Sequence, residues 1–207
     1  MGLFLTMSSV VGADISPVVS ALARYADANQ GTFHPQAFDP DDDSGMFVSQ
    51  SQAGTTVLHP PGFYFLGALS EFLSADLQAP AFSFHIHDGA FWMYLLFDKG
   101  KMADQFNPIP DYFECVTPEE RGRWLGNPQE VAKRVPGVLE DSIEKYLVQW
   151  GEGLSDEKAY EDDLYGYCDE LQLEDFLKRV GFEYPYDDDG NPHGSGYQFV
   201  CKPSAKG

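Results

Sequence analysis

Two histidines, His85 and His87, stand two residues apart in a stretch where apolar and polar side chains alternate. Because successive side chains of a β-strand point to opposite sides of a sheet, both imidazoles are predicted to share one face. Trp92, Tyr94 and Asp104 follow in two further stretches of this kind. Imidazoles near a carboxylate can transfer protons or bind a metal ion, and aromatic walls can hold a planar or apolar ligand. These five residues are therefore a candidate ligand-binding face.

Other observations argue against catalysis on that face. The sequence contains no Gly-x-Ser-x-Gly, no Gly-x-x-x-x-Gly-Lys, no His-Glu-x-x-His and no Gly-x-Gly-x-x-Gly motif. Asp104 is predicted to lie two strands from His85, about 9–10 Å away at about 4.8 Å per strand step. A metal ion would need a third ligand from His34, His59 or a C-terminal acid, and no spacing selects one. We assign no catalytic residue and predict no cofactor, and we leave metal binding open.

Three strands over about 81–106 are predicted to position the candidate face as an antiparallel meander. The Asp-Gly pair at 88–89 lies between two alternating runs and is typical of a two-residue β-hairpin turn. Counting outward from this turn places His85 opposite Trp92. The same count gives an apolar face that the first two helices of the chain should cover. Its members are Phe82, Phe84, Ile86, Phe91, Met93 and Leu95.

A second turn is predicted at 98–100, where the sequence reads Asp-Lys-Gly. Glycine in the third position suits the left-handed conformation of a β-bulge. The returning strand then places Met102 opposite Leu96 and adds Asp104 to the face of the histidines.

Two β-α units precede the meander. A strand is predicted at 3–7 and a helix at 17–29, which begins with Ser-Pro and ends before a glycine. A second strand at 55–59 precedes a second helix, whose apolar residues lie between 63 and 73. The stretch from 39 to 54 is rich in Asp, Ser and Gly and is predicted to be an exposed loop.

The C-terminal part is predicted to be mainly helical. Thr117 and Asn127 each precede a proline and a glutamate, a pattern typical of helix starts. Apolar stripes predict further helices at 139–150 and 169–180, and a last strand is predicted at 196–202.

Together these elements predict an α+β fold. N-terminal β-α units and the meander, covered by helices on one face, form a sheet domain at 1–114. A helical acidic region follows at 115–207 and is expected to pack on the sheet domain as one compact unit.

The charge of the chain limits the classes of molecule that it can bind. The formal net charge is −20, so the protein should repel nucleic acid and anionic membrane surfaces. Between 138 and 190, 17 Asp or Glu residues stand against four Lys or Arg. Within that stretch a cluster of acids and tyrosines suits the binding of a basic protein. This candidate partner-binding cluster comprises Tyr160, Glu161, Asp162, Asp163, Tyr165 and Tyr167.

These features favour a non-catalytic acidic interaction module, such as an inhibitor, immunity or accessory protein, that binds a basic partner protein. The alternative is a small enzyme or metal-binding protein that uses the candidate ligand-binding face. Cys115, Cys168 and Cys201 are widely spaced and odd in number, which favours a reducing, cytoplasmic location. No pattern indicates an oligomeric state.

Overall fold

One antiparallel sheet of eight strands organises the protein. The computed structural model describes residues 3–37, 44–61, 67–89, 91–112, 115–149 and 170–200. Its strands lie in the order β2-β8-β3-β4-β1-β5-β6-β7. The strands are β1 Leu5–Val11, β2 Thr32–Pro35, β3 Gly45–Gln50, β4 Gly54–Leu58, β5 Pro80–His87, β6 Phe91–Asp98, β7 Lys101–Phe106 and β8 Ser195–Val200.

Helices pack on both faces of the sheet. The α-helices of the described residues are α1 Ile15–Ala28, α2 Ala68–Leu77, α3 Pro118–Arg123, α4 Pro128–Arg134, α5 Glu140–Ile143 and α6 Glu170–Val180. None of them combines the length and apolarity needed to cross a bilayer. The α+β class and the three-stranded meander are confirmed.

The two faces have separate cores. Residues of α1 and α2 pack with Val10, Val57 and Ala81 on one face. Residues of α4, α5 and α6 pack with Phe82 and Phe84 on the other. We predicted that the first two helices would cover the face of Phe82, and this is wrong: the C-terminal helices cover it.

The face under α1 and α2 forms as the helical pattern predicts. In α1, Val18, Ala21 and Leu22 are fully buried, at the spacing that places side chains on one side of a helix. The helix begins after Asp14, two residues before the predicted Ser-Pro start. Arg24 of α1 also contacts Asp76 of α2 at 2.5 Å, which joins the two helices on their outer side.

The predicted loop at 39–54 is wrong in part, because β3 occupies Gly45–Gln50. Met46 and Val48 are fully buried and alternate with less buried neighbours, which is the period of a strand. β3 pairs with β4 on one side and with β8 on the other. Since β8 comes from the predicted C-terminal region, sheet hydrogen bonds join the two predicted regions.

The helix starts of the C-terminal region are confirmed. The Thr117 hydroxyl accepts from the backbone N–H of Glu120, whose carboxylate accepts from the Thr117 N–H. The Asn127 side chain accepts from the first amides of α4. The predicted helix at 139–150 is shorter: α5 passes into a 3-10 turn at Glu144–Tyr146. Ile143 and Tyr146 are both buried, and a spacing of three suits the 3-10 geometry.

Candidate functional site

The first hairpin differs from the prediction by one residue. His87 pairs with Phe91 and His85 pairs with Met93, so three residues separate the paired strands instead of two. The residues at 88–89 do have the positive φ angles, 52° and 66°, of the predicted turn. The Gly89 N–H, however, donates to the Leu3 carbonyl at 2.8 Å, so the turn is also tied to the start of β1. The predicted pairing of His85 with Trp92 is wrong.

The second hairpin also differs. Two residues with positive φ, Lys99 and Gly100, form the turn. Asp98 therefore pairs with Lys101 and Met102 pairs with Phe97, and a register shift between Leu96 and Phe97 then places Asp104 opposite Leu96. The predicted pairing of Met102 with Leu96 is therefore wrong, because the irregularity lies within the strands and not at the turn.

The shift in the first hairpin divides the candidate ligand-binding face. A change of one residue in register moves every side chain of the strand to the opposite side of the sheet. His85 and His87 thus share a face with Met93. Trp92, Tyr94 and Asp104 lie on the opposite face, with Phe82 and Phe84. The structure does not bring the five predicted residues together.

Trp92 anchors α6 to the sheet. Its side chain is fully buried, and its indole N–H donates to the Gln172 amide oxygen at 2.7 Å. The indole ring also lies 4.9 Å from the Phe176 ring, centroid to centroid. Gln172 and Phe176 both belong to α6. The polar atom of the indole is thereby satisfied within the core.

Tyr94 and Asp104 fasten α4 to the sheet edge. The buried Tyr94 hydroxyl donates to Asp104 Oδ2 at 2.6 Å, and the Asn127 N–H donates to the same oxygen at 2.9 Å. Burial raises the pKa of the Asp104 carboxyl above its usual value, and burial also raises the pKa of Tyr94. Asn127 directly precedes α4. This carboxylate therefore connects a strand with a helix start.

A chain of hydrogen bonds lies on the histidine face beneath α2. His59 Nε2 and Ser8 Oγ are 2.9 Å apart, and Ser8 Oγ is 2.7 Å from Ser70 Oγ. The Ser70 hydroxyl donates to the Phe82 carbonyl at 3.0 Å. A serine bonded to an imidazole is an arrangement used in nucleophilic catalysis. Here both serines are fully buried, and burial lowers the pKa of His59 to about 3. The chain therefore satisfies polar groups inside the fold.

His85 lies between the interior and the surface. Its Nδ1 is 3.2 Å from the Thr6 hydroxyl. Burial and the neighbouring His87 lower the pKa of His85 to about 4. Within the described ranges, no three His, Cys, Asp or Glu side chains lie where they could share a metal ion.

His87 reaches the surface within an aromatic cluster. Its ring lies 5.0 Å from Phe4, 5.2 Å from Tyr112 and 5.4 Å from Phe91, centroid to centroid. We call these four residues the His87 cluster. Phe4 and Tyr112 were not predicted as site residues, because they come from separate segments and have no shared spacing in the sequence.

The predicted partner-binding cluster lies outside the described residues, so its role stays a prediction. A second acidic stretch, at 187–189, does lie within them. Asp187 accepts hydrogen bonds from the N–H groups of Asp189 and Asn191, at 3.0 and 2.8 Å. Tyr186 and Pro192 form a β-bridge across the same turn. We call the segment 186–192 the acidic turn. The predicted cluster comprises Tyr160, Glu161, Asp162, Asp163, Tyr165 and Tyr167.

Comparison with protein-family models, with curated proteins and with solved structures found no match to this chain.

Proposed function

We propose that this protein is a non-catalytic acidic interaction module that binds a basic partner protein, as an inhibitor, immunity or accessory protein does. The observation that carries the proposal is its charge. The net charge is −20, and 17 Asp or Glu residues stand against four Lys or Arg between 138 and 190. A field of this sign attracts a basic protein and speeds its encounter.

The acidic turn supports the proposal with geometry. Asp188 and Asp189 are exposed, while the hydrogen bonds to Asp187 hold the backbone that carries them. The Asp187 N–H also donates to the Asn191 carbonyl at 3.0 Å. Carboxylates on a fixed turn lose little conformational freedom on binding, so more of their attraction becomes affinity.

Two partly buried tyrosines, Tyr184 and Tyr186, lie before and at the start of the acidic turn. The Tyr184 hydroxyl donates to Glu170 Oε1 at 2.6 Å, and the rings of Tyr184 and Tyr186 lie 6.2 Å apart. Tyrosine is among the residues that contribute most to protein interfaces. Acid and tyrosine thus occur together here, as they do in the predicted cluster at 160–167. We propose that both contribute to the binding of the basic partner.

The register of the sheet argues against the alternative function, a small enzyme or metal-binding protein. It relied on His85, His87, Tyr94 and Asp104 sharing one face of the sheet. The observed register places the first two on one face and the last two on the other. Tyr94 is fully buried, and its hydroxyl donates to the partly buried Asp104.

The proposal is tested by isolating the partner and measuring its affinity. Partners should be captured from the native cell by crosslinking, and the purified complex then titrated calorimetrically at low and at high salt. We expect a basic partner whose affinity falls at least tenfold with salt, since screening weakens exposed charge pairs. The combined substitutions E161Q, D162N and D163N should weaken binding at low salt.

A matched control has the same charge change elsewhere. The substitutions D14N, D27N and E71Q remove three charges in or before α1 and α2 and should leave affinity within about twofold. Binding that ignores salt, or an equal loss in both triple variants, would contradict the proposal.

A further inference from the structure

We propose that the His87 cluster is the docking point for an arginine side chain of the basic partner. The inference rests on the proposed function and gives it a specific anchor. The cluster comprises Phe4, His87, Phe91 and Tyr112 and joins the start of β1, the β5–β6 hairpin and the segment after β7.

The rings of the His87 cluster hold one another in place. Phe4 and Tyr112 each meet the His87 ring edge to face, with interplanar angles of 86° and 67°. Phe91 is buried beneath them and lies 5.1 Å from Tyr112. The Gly89–Leu3 hydrogen bond fixes the segment that carries Phe4 next to the hairpin. The surface is therefore arranged before any partner arrives, which lowers the entropy lost on binding.

Two of these rings are strongly exposed for residues of their size. Phe4 keeps 55% of its surface accessible and Tyr112 keeps 52%. Neighbouring exposed aromatic rings are typical of interaction sites, and tyrosine is enriched among the residues that dominate binding energy. Because the rings are inclined to one another, each exposed ring presents its own face, on which a planar group can stack.

Charge selects a cationic occupant. The cluster contains no Lys or Arg, and Asp88 and Asp111 directly adjoin two of its members in sequence. Arg121 pairs with Asp111 at 2.6 Å and offsets its charge, so the attraction for a cation comes mainly from the net charge of −20. A second copy of this chain would meet strong repulsion, because each copy has a net charge of −20.

Arginine fits these features better than lysine does. Its guanidinium is planar, stacks on aromatic rings and is less strongly hydrated than an ammonium group. A cation over an exposed aromatic ring gains about 0.5–1 kcal/mol. That gain corresponds to roughly a two- to fivefold effect on affinity for each ring.

The direct test uses small probes on the whole protein. Acetyl-Gly-Arg-Gly-amide is titrated against the protein at about 150 mM salt, where long-range attraction is screened. Aromatic carbon-13 resonances are monitored, and the peptide with neutral citrulline in place of arginine is the comparison. We expect the arginine peptide to shift resonances of Phe4, His87 and Tyr112. Equal shifts with citrulline, or none with arginine, would overturn the proposal.

Variants then locate the site. The substitutions F4L and Y112L keep apolar volume but remove an exposed ring, so folding should be preserved. Each should weaken the arginine peptide about two- to fivefold. The control F33L removes a ring from a separate pair, Phe33 and Tyr197, whose centroids are 4.7 Å apart, and should not change binding. Equal weakening by F33L would overturn the assignment.

The purified partner separates the two proposals. Loss of affinity with F4L and Y112L would support the docking point. Normal affinity with these variants, together with loss in the E161Q, D162N and D163N variant, would overturn the docking point and keep the proposed function. If the arginine peptide binds but crosslinking captures no basic partner, the result would support the cluster as a cation site and contradict the proposed function.

Discussion

The two faces of the central sheet both contain polar side chains but use them differently. On the face covered by the C-terminal helices, Trp92 and Tyr94 are fully buried and bond to groups of α6 and β7. On the face of the histidines, His59 is buried, whereas His85 and His87 are both partly buried. Residue type alone would suggest chemistry on either face. Partial exposure limits such chemistry to the part of the histidine face where His85 and His87 lie.

Truncation of Trp92 should give the largest difference between the faces. W92A removes a fully buried ring together with the hydrogen bond to Gln172, and we expect a loss of about 3–5 kcal/mol in the free energy of unfolding. The control Y112A, which removes a half-exposed ring with contacts to His87 and Phe91, should cost only about 1–2 kcal/mol. Urea unfolding followed by circular dichroism measures both. Similar losses would mean that the buried indole contributes no more than a surface ring.

Acid should destabilise the protein through the histidine face. Burial lowers the pKa of His59 to about 3 and that of His85 to about 4, while the unfolded chain has a value of about 6.5. Below pH 6.5 the unfolded chain therefore binds more protons, and stability falls as the pH drops toward 4. At pH 5 the loss from His59 alone is about 2 kcal/mol. Urea unfolding at pH 7, 6 and 5 measures it.

Variants separate the contribution of the histidines to the pH dependence of stability from the contribution of Asp104 on the other face. The raised pKa of Asp104 acts in the opposite direction, because its carboxyl gains a proton more easily in the folded protein. The change in the free energy of unfolding with pH is thus the sum of both contributions. The wild-type protein must therefore be compared with H59Q, or with H85Q if H59Q folds poorly. Each should flatten the decline between pH 6.5 and 5. An unchanged slope in both would contradict the assignment.

The smallest contrast lies between two serines of the histidine face. Ser8 and Ser83 are opposite each other in β1 and β5, and both are buried. Ser8 bonds to His59 and Ser70, whereas the Ser83 hydroxyl has no hydrogen-bond partner among the described residues. S8A should therefore cost about 1–2 kcal/mol, while S83A should be nearly neutral or stabilising. Thermal unfolding at pH 7 compares them, and a larger loss in S83A would refute this account.

Much of the local structure could be predicted from the sequence, because it depends on neighbouring residues. Thr117 and Asn127 cap their helices as expected, and the strands of the meander lie where the alternation places them. The register could not be predicted. The residues at 88–89 adopt the expected turn angles, yet pairing resumes at Phe91. One additional residue was enough to place Trp92 in the opposite core.

The surface features depended on contacts between distant segments. Phe4 and Tyr112 meet at His87 from positions 108 residues apart in the numbering. β8 enters the sheet between β2 and β3, which are near neighbours in sequence. No periodicity within a segment reports such pairing. The predicted ligand-binding face therefore grouped residues that lie on opposite faces of the sheet.

The position of β8 also bears on the order of folding. β2 pairs only with β8 in the described sheet, and β3 has one edge that β8 must fill. Until the ribosome has released residues 195–200, the backbone N–H and C=O groups that β2 and β3 turn toward β8 lack their hydrogen-bond partners. Joining them requires closure of a loop that extends over most of the chain, which slows folding. During synthesis the nascent protein would thus hold an unfinished sheet edge that is open to other chains.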